Sequence, residues 1–250
     1  MTSYFVAGAS RGIGLELVCQ LLKDPDVSVI FAGVRSPEKA PKELQNDKVK
    51  ILKLDVTHQE DVTAAADSIK KLHGSLDILI VNAGAGDFTE PSKASVEALR
   101  NIIELNTLST QRIVLATLPL IRSGKQKKII AIGTAAGSFK SAQAFSKYNL
   151  PSGIYGVSKA ALHFLVMLYG TELAPENIIA ASIHPGFVDT DPVQEMLKNA
   201  PEGTQDGYKK LGVKLLSREE SAVGILATTK KLGPKDSGYL FDWEGNKMEF

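Results

Sequence analysis

Short apolar runs alternate with longer amphipathic stretches along nearly the whole chain. YFVAG (4–8), VSVIFAGV (27–34), VKILKLDV (49–56), LDILIVNAG (76–84), KKIIAIGT (127–134), IIAASIHPG (178–186) and GYLF (238–241) read as strands. Segments 12–23, 59–73, 95–123, 155–173 and 217–232 carry apolar residues at helical spacing. Several strands are apolar at consecutive positions, as expected when helices cover both faces of a parallel sheet. This alternation, with right-handed crossovers, predicts an α/β, doubly wound Rossmann-type fold of about seven mostly parallel strands. No repeat, low-complexity tract or linker divides the chain, so residues 1–250 are expected to form a single domain.

Residues 137–153 and 187–216 break the alternation with Gly, Ser, Lys and Pro, and read as loops. Both follow strands, which puts them at the carboxyl end of the sheet, where such folds bind ligands. Gly86, Phe88, Phe145, Leu150, Phe187 and Met196 make that region partly apolar.

Composition narrows the partners. A formal net charge of +1, without charge blocks, favours neither nucleic acid nor an anionic membrane. The single cysteine, Cys19, fits a reducing compartment, and no run approaches the ~20 apolar residues of a membrane span. A soluble, cytoplasmic protein is expected. His58, His73, His163 and His184 lack metal-ligand spacing, so no metal is expected. His58 and His73 read as solvated, His163 as helix packing, and His184 as a candidate neighbour of a ligand.

After the first strand comes GASRGIG, with Gly8, Gly12 and Gly14 opening a helix. Glycines there let the backbone approach a pyrophosphate, whose charge the helix N-terminus stabilises. Ser10 and Ile13 belong to the same turn. No GxxxxGK[ST] pattern competes with this reading. Where an NAD site carries a carboxylate at the end of the second strand, this chain has Val34 followed by Arg35. Arg11 supplies a second guanidinium, and the pair suits the 2′-phosphate of NADP(H).

Together these residues resemble the short-chain dehydrogenase/reductase family over essentially the whole chain. Asp55 and Val56 match the family's adenine-flanking pair, and Asn82, Ala83 and Gly84 its NAG motif. Asn106 matches the structural and proton-relay Asn, and Tyr155 and Lys159 the YxxxK pair. Pro185, Gly186, Val188 and Thr190 match the motif beside the nicotinamide. Two positions depart: Ala7 replaces a Thr frequent before the first glycine, and Thr134 stands where a catalytic Ser is usual, with Ser138 as a nearby substitute. The longer loop and the ending SGYLFDWEGNKMEF look like sniffer-type carbonyl reductases and fungal norsolorinic-acid-type ketoreductases.

The resemblance implies NADPH-dependent reduction of a small-molecule ketone or aldehyde, or the reverse oxidation. Tyr155 would be the general acid, Lys159 would lower its pKa, and Thr134 would orient the carbonyl oxygen. Asn106 would hold a proton-resupplying water. A homodimer or homotetramer through segments 95–123 and 155–173 is usual in the family, although monomers occur. A non-catalytic NADPH-binding sensor or scaffold is the rival reading.

Overall fold

The computed structural model describes residues 1–148, 150–200 and 202–250; Asn149 and Pro201, within the two expected loops, lie outside them. The elements run β1 (Thr2–Ala7), α1 (Gly12–Leu22), β2 (Val27–Val34), β3 (Val49–Lys53), α2 (Gln59–Leu72), β4 (Ile78–Val81), α3 (Val96–Ile103), α4 (Ser109–Arg122) and β5 (Lys128–Ile132). They continue with α5 (Phe139–Lys147), α6 (Gly153–Glu172), β6 (Ile179–His184), β7 (Phe187–Val188), α7 (Asp191–Asn199) and α8 (Thr204–Lys210). β8 (Leu215–Leu216), α9 (Arg218–Lys231), β9 (Leu240–Asp242) and β10 (Lys247–Met248) complete the chain.

The main sheet has the order β10-β9-β6-β5-β4-β1-β2-β3 and is parallel except for β10. The doubly wound expectation is met, with β10 as an eighth strand and β7–β8 as a separate parallel ribbon. The absence of alternation has its cause in two cores. Phe5, Ala7, Leu79, Val81, Ile129 and Ala131 face α2, α4 and α6. Their neighbours Tyr4, Val6, Ile78, Ile80, Ile130 and Ile132 face α1 and α9. Each fully buried aliphatic side chain stabilises the fold by roughly 1.5–3 kcal/mol, so both faces of the sheet must be covered.

Two expectations need correction. The stretches 137–153 and 187–216 are largely helical, forming α5, α7 and α8. These helices have nine, nine and seven residues, too short for periodicity to stand out against their Gly, Pro and Lys content. Ser138 starts α5 by accepting the Ser141 N–H at 3.1 Å, and Pro192 stands in the first turn of α7, where its missing donor is harmless. The helix expected over 95–123 is interrupted by a π-helical turn at Glu104–Leu108. Such turns occur as single insertions inside α-helices. This one contains Asn106, almost wholly buried.

At the amino ends of the strands, the buried Asp77 carboxylate accepts Ser3 N–H and Oγ–H, both at 2.9 Å, and Lys125 N–H at 2.7 Å. It thereby ties β1, β4 and the approach to β5 together. At the other end, strand order reverses between β1 and β4. Chains leaving these strands diverge and open a crevice, the place where doubly wound sheets bind ligands.

Candidate active site

The floor of the crevice is built by glycines. Gly8 has φ +90°, and a Cβ there would lie 2.8 Å from the Ala83 backbone. A Cβ on Gly14 would lie 1.9 Å from the Gly8 carbonyl oxygen. The turn after β1 therefore packs on the end of β4 and the start of α1 with no space for side chains. Asn82 fixes this contact by donating Nδ2 to the Gly8 oxygen at 2.7 Å. Arg11 precedes α1 without a side-chain cap, and no carboxylate lies in the first turn. The amide hydrogens there suit an incoming phosphate.

Farther along the crevice, Val34 is buried and Arg35 is exposed at the end of β2. Asp55, across from them, accepts Thr57 N–H at 3.0 Å and Thr57 Oγ–H at 2.6 Å. The Thr57 hydrogen bonds, with a smaller contribution from Arg35, hold its carboxyl below the usual range. Arg11 is largely exposed and lies 4.0 Å from Asp191 at the start of α7. Two guanidinium groups thus border the opening, free to turn toward a phosphate dianion. The glycine cradle, the uncapped helix and these cations fit a nicotinamide dinucleotide.

At the inner end, Tyr155 and Lys159 share one face of α6. Lys159 Nζ donates to the Ile132 carbonyl at 2.8 Å and lies 5.9 Å from the centroid of the Tyr155 ring. Burial lowers the Lys159 ammonium to about 8, which leaves it mainly charged at neutral pH. Burial pushes the Tyr155 phenol up to about 12, and a hydrogen bond from Thr134 only partly offsets this. Sequence reasoning expected Lys159 to lower Tyr155. In the protein alone desolvation prevails.

Thr134 lies two residues past the end of β5 and accepts Ala136 N–H at 3.3 Å while contacting Tyr155. Ser138 is not its substitute. The Ser138 hydroxyl is buried off the crevice, donating to the Glu249 carbonyl at 2.7 Å and capping α5. Asn106 braces the site from below. Its Oδ1 accepts Ala85 N–H, and its Nδ2 donates to the Ala85 carbonyl and Ser158 Oγ, each at 2.9 Å. Both amide hydrogens are therefore spent on structure.

The expected site residues converge. All except Gly14 and Asn106 line one cavity of about 1060 Å³, and those two lie directly beneath its wall. His184 also lines it, with burial lowering its imidazole to about 4. Gly186, with φ +85°, turns the chain so that Val188 and Thr190 face the same space. An apolar cover completes the cavity. Phe88 lies 5.4 Å from the Tyr155 ring, and Phe187 stacks on Tyr208 at 4.4 Å. Phe145 and Met196 join this cover. Sequence reasoning did not single out Tyr208, Leu211, Val213 or Met248. The first three sit in a stretch read as irregular, and the fourth lies in the ending SGYLFDWEGNKMEF, which is read for its resemblance and not for a site residue.

Residues 3–201 match the family model described as short chain dehydrogenase. An uncharacterized oxidoreductase of Schizosaccharomyces pombe is 34% identical over 253 residues, covering 99% of this chain and 97% of the relative. The short chain dehydrogenase gsfK of Penicillium aethiopicum is 32% identical over 255 residues, covering 97% of each. An NADPH-bound carbonyl reductase from chicken fatty liver superposes with TM-score 0.85 at 27% identity, over 100% of this chain and 94% of that one. The Drosophila melanogaster carbonyl reductase Sniffer has TM-score 0.83 and covers both chains fully. At 24% identity it speaks for the fold alone.

Proposed function

The chain belongs to the short-chain dehydrogenase/reductase family, an oxidoreductase acting with a nicotinamide cofactor on a small molecule, and from that premise we propose that it is an NADPH-dependent carbonyl reductase. The observation that carries this reading is the meeting of the Thr134 hydroxyl, the Tyr155 phenol and the Lys159 ammonium at the inner end of a glycine-floored crevice.

Gly8, Ser10, Gly12, Ile13 and Gly14 would hold the pyrophosphate at the start of α1. Arg11 and Arg35 would hold the 2′-phosphate, and Asp55 with Val56 would flank the adenine. Asn82, Ala83 and Gly84 would border the ribose, with Pro185, Gly186, Val188 and Thr190 beside the nicotinamide. When bound, NADPH supplies a hydride to the carbonyl carbon.

Thr134 orients the carbonyl oxygen, and Tyr155 donates its proton to the oxygen as negative charge develops there. A phenol held near 12 stays protonated throughout the neutral range, so the free protein is ready to donate. Lys159, still charged below about 8, stabilises the resulting phenolate and returns a proton to it. Asn106 keeps the Gly84–Ala85 backbone and α6 in register, so that Lys159 and the crevice wall stay in place.

The apolar cover supports a bulky or aromatic carbonyl substrate, handled by residues 1–250 as one domain. Exposed Leu115 on α4 and Phe164 and Leu168 on α6 support a homo-oligomer through those helices. Among the described residues no helix is long and apolar enough to cross a membrane.

Tyr155→Phe is the test. The variant should lose turnover of diketones, quinones, aromatic ketones and aldehydes while NADPH still binds by fluorescence titration. Near-wild-type turnover in that variant would overturn the mechanism.

A further inference from the structure

We propose that His163 is a positioning residue for the reduction: its imidazole locks the turn bearing Thr134 onto the helix bearing Tyr155 and Lys159. Only the kinetic part of its test rests on the carbonyl-reductase reading.

Thr134 opens a single 3₁₀ turn at Ala135–Gly137. Three contacts dock this turn on α6. A Cβ on Gly137 would lie 2.7 Å from the Lys159 carbonyl carbon, so the turn meets α6 backbone to backbone. A Cβ on Gly156 would lie 2.9 Å from the Ala136 oxygen, so the helix is equally bare on its side. The third contact is His163, whose Nε2 accepts the Thr134 N–H at 3.3 Å. It follows Lys159 by four residues and Tyr155 by eight, which keeps all three on one face of α6.

The neighbourhood leaves little freedom. A Cβ on Gly133 would lie 2.6 Å from His163 Nε2, so the end of β5 reaches the imidazole only because that residue is glycine. Phe250 meets the ring edge-to-face at a centroid distance of 6.0 Å. Burial, helped by the Lys159 charge, lowers the imidazole to about 3. It is therefore neutral, with the Nε2 lone pair available to the Thr134 amide.

This arrangement carries a cost. Nδ1 is buried and meets no partner at ordinary hydrogen-bond geometry among the described residues, although the Gly137 backbone acts on the imidazole and raises it against the burial. A leucine of similar size would pack here with no polar group left over. The bond to Thr134 is the imidazole's compensation. It matters more for Thr than for Ser, because a β-branched side chain has few χ1 choices. Holding the Thr134 backbone therefore holds its hydroxyl against Tyr155.

The experiment compares His163→Leu, His163→Gln and Thr134→Ala, alone and combined. Gln can bring an oxygen near the Nε2 position. His163→Leu should lower kcat about tenfold, the scale of one lost hydrogen bond, with the KM for NADPH unchanged. His163→Gln should recover most of the loss, and His163→Leu should add nothing in the Thr134→Ala background. If leucine prevents folding, Gly133→Ala, which drives a methyl into Nε2, must reproduce the kcat loss. Wild-type kcat in His163→Leu, failure of Gln to rescue, or additive losses with Thr134→Ala would each overturn the proposal. Hydrogen exchange of the Thr134 amide is independent of activity. It should quicken in His163→Leu and not in His163→Gln, and unchanged protection in both overturns the proposal even if the wild type reduces no carbonyl.

Discussion

Gly14→Ala tests the close packing beneath the cofactor crevice. The new methyl would stand 1.9 Å from the Gly8 carbonyl oxygen and 2.5 Å from Asn82 Nδ2. Neither neighbour can yield freely. Gly8 and Ala9 donate their N–H groups to the Gly33 carbonyl at 3.0 and 2.9 Å, and Asn82 is held by its bond to the Gly8 oxygen. The start of α1 must therefore move by about 1 Å or more to restore ordinary contact. Overpacking of this kind costs about 1–3 kcal/mol, and losing the Asn82 bond costs about 1 more. The better helix propensity of alanine returns at most about 1 kcal/mol. The net is a destabilisation of about 2 kcal/mol, which lowers Tm by about 4–8 °C in a chain of this size. Gly233→Ala is the control. Its φ is −121° and the nearest atom to a new Cβ is 3.9 Å away, so it should stay within about 0.5 kcal/mol of the wild type. Thermal denaturation with and without NADPH reads both effects. At a hundredfold excess over Kd, NADPH should stabilise the wild type by about 2.7 kcal/mol, and Gly14→Ala should keep only part of that gain. A Gly14→Ala Tm within about 1 °C of wild type, with the full NADPH shift, would refute the reasoning.

Three further outcomes are expected. Removing either Arg11 or Arg35 should weaken NADPH about tenfold and leave NADH unchanged, and Val34→Asp with Arg35→Ala should reverse the preference, read by fluorescence titration. Ser138→Ala should lose about 1–2 kcal/mol of stability with its cap and keep kcat, whereas Thr134→Ala should lose kcat and, its bond to the Ala136 N–H being long at 3.3 Å, lose less stability than Ser138→Ala, which steady-state kinetics and urea denaturation separate. Burial raises the Asp77 carboxyl, but the donors from Ser3, Lys125 and Gln126 outweigh it and leave its pKa lowered. Its contribution is therefore full above the unfolded value of ~3.9 and lost as pH falls through the folded one, so urea midpoints should fall in acid for the wild type and respond less in Asp77→Ala.

The centre of the sheet could be read from the chain because β1, β4 and β5 are buried on both faces, which leaves apolar runs such as FVA and ILIV with no competing pattern. The glycine turn and the Tyr155–Lys159 spacing were readable for a similar reason. Local geometry forces a glycine at Gly14 and sets one helical turn between the phenol and the ammonium. What could not be read depends on contacts remote in sequence. Ser138 looked like a spare catalytic hydroxyl until its bond to the carbonyl of Glu249, 111 residues away, appeared. His163 looked like helix packing because nothing near it in sequence shows the Thr134 amide. The low pKa expected for Tyr155 failed on burial, which depends on the assembled cavity.

This division bears on where substrate choice resides. The groups proposed to react lie just past β5 and on α6, whose positions follow from the sheet and from tight backbone contacts at Gly137 and Gly156. The cover is made by α5, α7 and α8, which carry short helical patterns and meet the rest largely through one small apolar cluster around Leu150, Met196 and Tyr208. Elements held by few buried contacts open at lower free energy than the core. Under the proposed function, exchanging residues in that cluster should therefore change which carbonyl fits while leaving Tyr155, Lys159 and Thr134 in register. The proposed function thus anchors the chemistry to the most constrained part of the fold, and selectivity to the least constrained part.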